Sequence, residues 1–134
     1  MLTGVACLIF VFSAGADDRI VAKTSHYLVL VRTDEADSGI AILEKIESNG
    51  KRKILAGDEK IATRIEKLLP REDAVALIKQ MVDLEIKNAG GIDNYQHRIV
   101  ENIKIYGDDF YNYLTPLQIE VYKGDGVKIP TKRK

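Results

Sequence analysis

The chain has 134 residues, of which 46% are hydrophobic and 30% are charged, a composition typical of one soluble globular domain. Twenty basic and twenty acidic side chains give a formal net charge of zero, so we expect no nucleic-acid binding led by attraction to phosphates. The single cysteine, Cys7, excludes an intrachain disulfide framework and a CxxC metal site.

The first sixteen residues carry no charged side chain. An apolar run over residues 5–12 is followed by Ser13 and then by Ala14, Gly15 and Ala16. An apolar segment of about 7–15 residues that ends in an A-x-A pattern is typical of a secretory signal peptide. We therefore expect a signal peptide over residues 1–16 and a single, cysteine-free globular domain over residues 17–134, secreted or periplasmic. The alternative is a cytoplasmic protein in which residues 8–12 form a buried strand.

The segment after the acidic pair at residues 17–18 favours β-structure. Its many β-branched and aromatic residues predict one strand over residues 20–33. Asn49 and Gly50 lie between two apolar stretches and predict a hairpin turn, because both residues tolerate positive φ. We expect residues 40–46 and 53–56 to be the paired strands, although residues 40–46 are also compatible with a short helix.

Helical spacing of apolar residues begins after Asp58, which we expect to cap the first helix. Pro70 ends this helix or begins the next one, in which Glu72 and Asp73 suit the N-terminal end of the helix dipole. Residues 88–91, which include two glycines, are expected to end that second helix.

The last third of the chain predicts two further helices. Residues 92–106 have helical spacing, with a strand over residues 92–100 as the alternative, and Gly107 interrupts the pattern. Thr115, Pro116 and Gln118 have the form of a capping box, which predicts a short helix closed by Gly124. Residues 127–130 are predicted to be a last strand. The elements together predict an α+β fold, with a small antiparallel sheet or hairpin packed against two to four helices.

Residue patterns of common catalytic and metal sites are missing from the sequence. His26 and His97 have no second ligand at metal-binding spacing, and the acidic stretch from Asp34 carries Ala36 and Lys45 where a calcium loop needs ligands. GxSxG and Walker A motifs do not occur. We therefore expect no metal and no cofactor, and a non-catalytic protein rather than an enzyme with serine or threonine chemistry.

Aromatic residues cluster in the C-terminal third of the chain. Tyrosine combines an apolar ring with a polar hydroxyl group, which suits a binding surface. The predicted contact residues for a protein or small-molecule partner are Tyr106, Phe110, Tyr111, Tyr113 and Tyr122. The alternative is that these rings pack the C-terminal segment onto the helices.

Part of the chain, from Arg32 onward, resembles the C-terminal half of proteasome core subunits, which have the N-terminal-nucleophile hydrolase fold. The resemblance is carried by Asp34-Glu35 before Gly39, Asn49-Gly50 at a turn, Arg71-Glu72-Asp73-Ala74-Val75 at a helix start, and Gly90-Gly91-Ile92-Asp93 after that helix. The chain lacks most of the middle of that fold and a lysine placed to activate a nucleophile. The resemblance therefore implies a catalytically inactive subunit of a larger assembly and assigns no site residues.

Two functions follow from these features. The first is a small exported, non-catalytic binding protein that uses the aromatic-rich C-terminal surface. The alternative is an intracellular, catalytically inactive assembly subunit of proteasome-like hydrolase fold.

Overall fold

The computed structural model describes residues 19–33, 39–58, 60–112 and 114–130. The predicted signal peptide, the alternative strand over residues 8–12, Cys7 and Tyr113 lie outside the described residues. The strands are β1 (Arg19–Lys23), β2 (Tyr27–Thr33), β3 (Gly39–Ile46) and β4 (Arg52–Asp58). The helices are α1 (Ile61–Leu68), α2 (Arg71–Ala89), α3 (Ile92–Tyr106), α4 (Asp108–Asn112) and α5 (Pro116–Gly124). The predicted α+β class is confirmed.

The four strands form one antiparallel sheet in the order β1-β2-β3-β4. The hairpin predicted at Asn49 and Gly50 joins β3 to β4, and Gly50 has the positive φ of 84° that such turns require. The side-chain oxygen of Asn49 also accepts a hydrogen bond from the Lys51 amide at 3.0 Å. Residues 40–46 are therefore strand rather than helix.

The single strand predicted over residues 20–33 is wrong, because the chain turns back between Lys23 and Tyr27. The Thr24 amide donates to the Tyr27 carbonyl at 2.8 Å, and the Tyr27 amide donates to the Thr24 hydroxyl at 3.2 Å. The polar residues 23–26 tolerate this exposed turn. The turn lets Val21 and Ala22 of β1 bury beside β2 instead of extending past it.

All the helices but the short α4 begin and end near the predicted positions, with one correction at the start of α1. Asp58 does not cap α1, because it is still paired with Ala41 in the sheet and Lys60 occupies the N-cap position. α2 carries Glu72 and Asp73 in its first turn and ends at Gly90, whose φ is 95°.

In the last third of the chain, two predictions are confirmed and one is wrong. Residues 92–106 are a helix, and the capping box is present, since Thr115 Oγ1 accepts from the Gln118 amide at 3.1 Å and Gln118 Oε1 accepts from the Thr115 amide at 3.4 Å. Residues 127–130 are not a strand of the sheet, because they follow α5 on the helical side of the molecule and meet α3 instead. We call them the C-terminal segment.

The main hydrophobic core lies between one face of the sheet and the helices. Side chains of β1, β2 and β3 meet α1, α2, α3 and α5 there; the fully buried members include Val29, Leu43, Ile65, Leu77, Ile78, Met81 and Val82. These helices lie on the same face because every one of them directs an apolar stripe at the sheet or at a helix that touches it. In the described part of the chain, no helix is both long and apolar enough to cross a bilayer.

The opposite face of the sheet carries a second apolar cluster. Leu28, Leu30 and Ile42 are buried, and the half-buried Ile46 packs against them. All four are alternate residues of β2 and β3. They share this face because successive side chains of a strand point to opposite faces. The exposed members of this outer face, by strand register, are Ile20, Ile40 and Ile54.

Candidate binding surface

Of the predicted contact residues that the structure describes, two are buried and two are half-buried. Phe110 and Tyr122 are 1% and 0% exposed, so both rings belong to the core and neither offers an accessible contact to a partner. The prediction is wrong for these two because a large aromatic ring gains more from burial among helices than from exposure. Tyr106 and Tyr111 are half-buried at the edge of the core, and their role in binding stays a prediction.

Tyr122 is buried in a polar network that joins α3 to α5. Its hydroxyl oxygen lies 3.0 Å from that of Tyr95, and the Gln118 side-chain amide donates to the Tyr122 hydroxyl at 3.4 Å. Burial raises the pKa of both tyrosines far above the ordinary value; in Tyr95 the charges of Tyr122 and Glu85 add to it. Both phenols therefore stay protonated at physiological pH and act as structural hydrogen-bonding groups.

Tyr111 fixes the far end of the C-terminal segment. Its hydroxyl group donates to the Pro130 carbonyl at 2.8 Å, while its ring meets Phe110 edge to face with centroids 5.7 Å apart. The buried Phe110 positions the Tyr111 ring, and the Tyr111 hydroxyl group in turn positions Pro130. A tyrosine predicted to contact a partner is thus also a positioning residue for the segment beside it.

Gln96 of α3 fixes the middle of the same segment. Its Oε1 accepts from the Lys128 amide at 2.7 Å, and its Nε2 donates to the Lys128 carbonyl at 2.6 Å. One side-chain amide thus satisfies both backbone groups of one residue, which is the pattern of a neighbouring strand. Sequence reasoning missed Gln96, since the bond spans 32 positions and no local pattern marks it.

A groove of about 380 Å³ lies between α5 and the C-terminal segment. We call it the C-terminal groove; it is lined by Ile119, Lys123, Gly126, Val127, Lys128 and Ile129. Ile119 and Ile129 are half-buried and supply apolar surface, whereas the two lysines are exposed. Among the ion pairs of the described residues, neither lysine has a carboxylate partner.

A charged cluster of one lysine and two aspartates lies on the other side of α5. Lys79 Nζ lies 2.7 Å from Asp125 and 3.1 Å from Asp83. A hydrogen bond to Asp125 and partial burial raise the pKa of Asp83, whereas the pKa of Asp125 is lowered because its bonds to Asp83 and Lys79 outweigh the effect of its burial. Lys79 pairs with both carboxylates and holds the end of α5 against α2, while Asp125 Oδ2 is buried without a hydrogen-bond partner among the described residues.

The histidines do not assemble a metal site with other residues. His26 lies in the turn between β1 and β2, where it borders an open groove of about 600 Å³ with Ser25, Lys45, Ile46, Glu47 and Ser48. His97 lies on α3. Over the described ranges, no three His, Cys, Asp or Glu side chains come together in a geometry that would hold a metal ion.

Comparisons of this chain with protein-family models, with curated protein sequences and with solved structures gave no match. The resemblance to proteasome core subunits therefore stays a prediction.

Proposed function

We propose that this protein is a small, exported, non-catalytic binding protein that uses its C-terminal surface to take a protein partner. By C-terminal surface we mean the half-buried Tyr106 and Tyr111 and the C-terminal groove. The observation that carries the proposal is that Gln96 and Tyr111 fix the C-terminal segment, which forms one wall of this groove. A wall that is already ordered loses little conformational entropy when a partner binds.

The non-catalytic part of the proposal is supported by the state of the titratable groups. The tyrosines with the largest pKa shifts, Tyr95 and Tyr122, are buried away from the groove. Lys79, Asp83 and Asp125 are occupied with one another. These shifted groups contact other side chains of the protein, and we assign them to packing and ion pairing rather than to proton transfer.

Export is supported by the uncharged apolar run over residues 5–12 and the Ala14-Gly15-Ala16 pattern after it. Export is tested by the intact mass and the N-terminal sequence of the protein from its native source. A chain that starts at Asp17 supports export, and a chain that retains Met1 or Leu2 contradicts it.

Binding is tested by immobilising the protein and comparing partner capture by the parent with capture by Tyr106→Ala and Tyr111→Ala. We expect each variant to weaken capture about tenfold, with a melting temperature within a few degrees of the parent. Tyr27→Ala is the matched control, because Tyr27 is also half-buried but lies on β2. A large fall in melting temperature with unchanged capture would assign both rings to the core and contradict the proposal.

The outer face of the sheet favours a second candidate, the intracellular assembly subunit. Ile20, Ile40 and Ile54 are 51%, 42% and 56% exposed around the buried cluster on that face. Exposed apolar side chains grouped on one face are typical of contacts between subunits. Native mass spectrometry of the protein from its source tests this candidate, which predicts a complex that Ile54→Lys disrupts while Ile105→Lys, on α3, does not.

A further inference from the structure

We propose that the open groove beside His26 binds a phosphate or sulfate group carried by a small molecule. We call it the hairpin groove, because it lies between the β1-β2 turn and the β3 side of the β3-β4 hairpin. It has a volume of about 600 Å³ and is lined by Ser25, His26, Lys45, Ile46, Glu47 and Ser48. It shares no lining residue with the C-terminal groove, so this site goes beyond the proposed partner binding and does not depend on it.

Two lysines lie opposite each other at the hairpin groove. Lys45 of β3 pairs with Lys53 of β4 in the antiparallel register, and we call them the facing lysines. Residues directly opposite each other share one face of a sheet with their Cβ atoms about 5 Å apart, and like charges there repel. Both side chains are exposed, and among the ion pairs of the described residues neither has a carboxylate partner. An anion bound between the two ammonium groups offsets this repulsion.

The acidic residues nearby do not supply that anion. Glu44 directly precedes Lys45, so its side chain points to the other face of the sheet. Glu47 lines the groove, but its amide donates to the Lys51 carbonyl at 2.8 Å, which places Glu47 across the hairpin from Lys51. The charge of Lys51 offsets that of Glu47 and leaves the two positive charges of the facing lysines in excess.

Three neutral side chains complete the hairpin groove. The hydroxyl groups of Ser25 and Ser48 and the ring of His26 can each donate a hydrogen bond to an oxyanion. Within the described ranges, these three side chains make no hydrogen bond to the rest of the protein. The Ile46 amide donates to the His26 carbonyl at 2.7 Å, which fixes the β1-β2 turn beside the end of β3. The backbone that carries the donors is therefore ordered before a ligand arrives, which lowers the entropic cost of binding.

This arrangement of donors suits a single tetrahedral oxyanion. Phosphate and sulfate groups direct acceptor oxygens to several sides, so they can bond to both facing lysines and to the hydroxyl groups at once. A carboxylate has only two oxygens, which lie in one plane. Lysine binds phosphate as a point charge and forms charge-assisted hydrogen bonds to its oxygens. Because the formal net charge of the chain is zero, we assign the site to a small molecule with one such group rather than to a nucleic acid.

The first test titrates the protein with inorganic phosphate, sulfate and acetate at constant ionic strength and follows the backbone amide signals by NMR. We expect saturable shifts at residues 25–26 and 45–48 with phosphate, sulfate or both, with a Kd of about 1 mM or tighter. Phenyl phosphate and phenyl sulfate then show which of the two groups the groove prefers on a small molecule. Absence of saturable shifts at these residues, or equal shifts with acetate, would overturn the inference.

The second test changes the charges of the hairpin groove. Lys45→Gln and Lys53→Gln should each weaken phosphate binding at least about fivefold, because each removes one charge-assisted hydrogen bond. Glu47→Gln should tighten binding, because a carboxylate that repels the ligand is lost. Lys67→Gln is the matched control, since Lys67 is an exposed lysine on α1 outside the groove, and this variant should bind like the parent. If Lys67→Gln weakens binding as much as Lys45→Gln does, phosphate responds only to the overall charge and the site is wrong.

Thermal stability gives an independent readout of the same site. Phosphate at ten times its Kd should raise the melting temperature of the parent, because a ligand that binds only the folded state stabilises it by about 1.4 kcal/mol. The double variant Lys45→Gln and Lys53→Gln should show a much smaller rise. An equal rise in the parent and in the double variant would show that phosphate acts on the protein in general, which would overturn the inference.

Discussion

The hydroxyl oxygens of Tyr95 and Tyr122 lie 3.0 Å apart inside the helical layer, with their ring centroids separated by 6.1 Å and tilted by 47°. Tyr95 belongs to α3 and Tyr122 to α5, so this contact fixes the distance between the two helices that hold the C-terminal segment. Gln96 reaches the segment from α3, and the segment itself leaves from the end of α5. The position of the C-terminal segment therefore depends on a buried polar pair inside the helical layer.

Removal of one hydroxyl group from this pair should destabilise the fold. Tyr95→Phe or Tyr122→Phe removes the hydroxyl–hydroxyl hydrogen bond from this buried network, and each should lower the free energy of unfolding by about 1 kcal/mol. The double variant should cost less than the sum of the two, with a coupling of about 1 kcal/mol. Urea unfolding of the parent, the two single variants and the double variant measures this coupling. Strict additivity would show that the two hydroxyl groups do not interact.

Alkaline pH should destabilise the fold through the same two residues. Burial holds the pKa of Tyr95 and Tyr122 above that of a tyrosine in the unfolded chain, so above about pH 10 the unfolded state releases protons that the folded state retains. Their contribution to stability is complete below pH 10 and falls as pH rises, by about 1.4 kcal/mol per pH unit for each tyrosine. Urea unfolding between pH 9 and 11 measures the slope.

The control for this pH dependence is Tyr122→Phe. This variant should lose about half of the slope that the two tyrosines contribute to the free energy of unfolding against pH. Absorbance of phenolate near 295 nm gives an independent readout. At least two of the six tyrosines should ionise only when the protein unfolds. Ionisation of all six in one transition near pH 10, without unfolding, would contradict the burial effect.

Alanine substitutions at Gly90 and Gly124 should have opposite effects. Gly90 ends α2 with φ at 95°, and a Cβ there would lie 2.8 Å from Asn94 Nδ2, so Gly90→Ala should cost about 1–2 kcal/mol. Gly124 is the last residue of α5 and has no atom within 4 Å of an added Cβ, so Gly124→Ala should be neutral or stabilise by up to about 1 kcal/mol. Thermal unfolding measures the stability of both variants, and equal effects would contradict the conclusion that the end of α2 requires a residue with positive φ at Gly90.

Gln96→Ala should free the C-terminal segment without unfolding the domain. The Lys128 amide loses its acceptor, so its hydrogen exchange should accelerate at least about tenfold while the melting temperature falls by only a few degrees. Gln80→Ala is the matched control, because Gln80 holds the amide and carbonyl of Lys23 at 2.8 and 2.9 Å in the same way. That variant should accelerate exchange at Lys23 and leave Lys128 protected. Unchanged exchange at Lys128 in Gln96→Ala would show that the segment is held by other contacts.

Features that depend on neighbours in the sequence were predictable. The hairpin at Asn49 and Gly50, the end of α2 at Gly90 and the capping box at Thr115 each arise from the conformational preferences of a few adjacent residues. The turn that separates β1 from β2 was missed because it contains no glycine, asparagine or proline. A threonine hydroxyl closes it instead.

Composition and short-range pattern by themselves determined the α+β class, most of the helices and the β3-β4 hairpin, because these follow from steric and hydrogen-bonding preferences within a few residues. Only the tertiary structure decided which aromatic rings are buried, since the exposure of Phe110 and Tyr111 depends on helices that pack from distant parts of the chain. The same is true of the C-terminal groove. Its wall is fixed by Gln96 across 32 positions, and long-range contacts of this kind arise only when the whole core has formed.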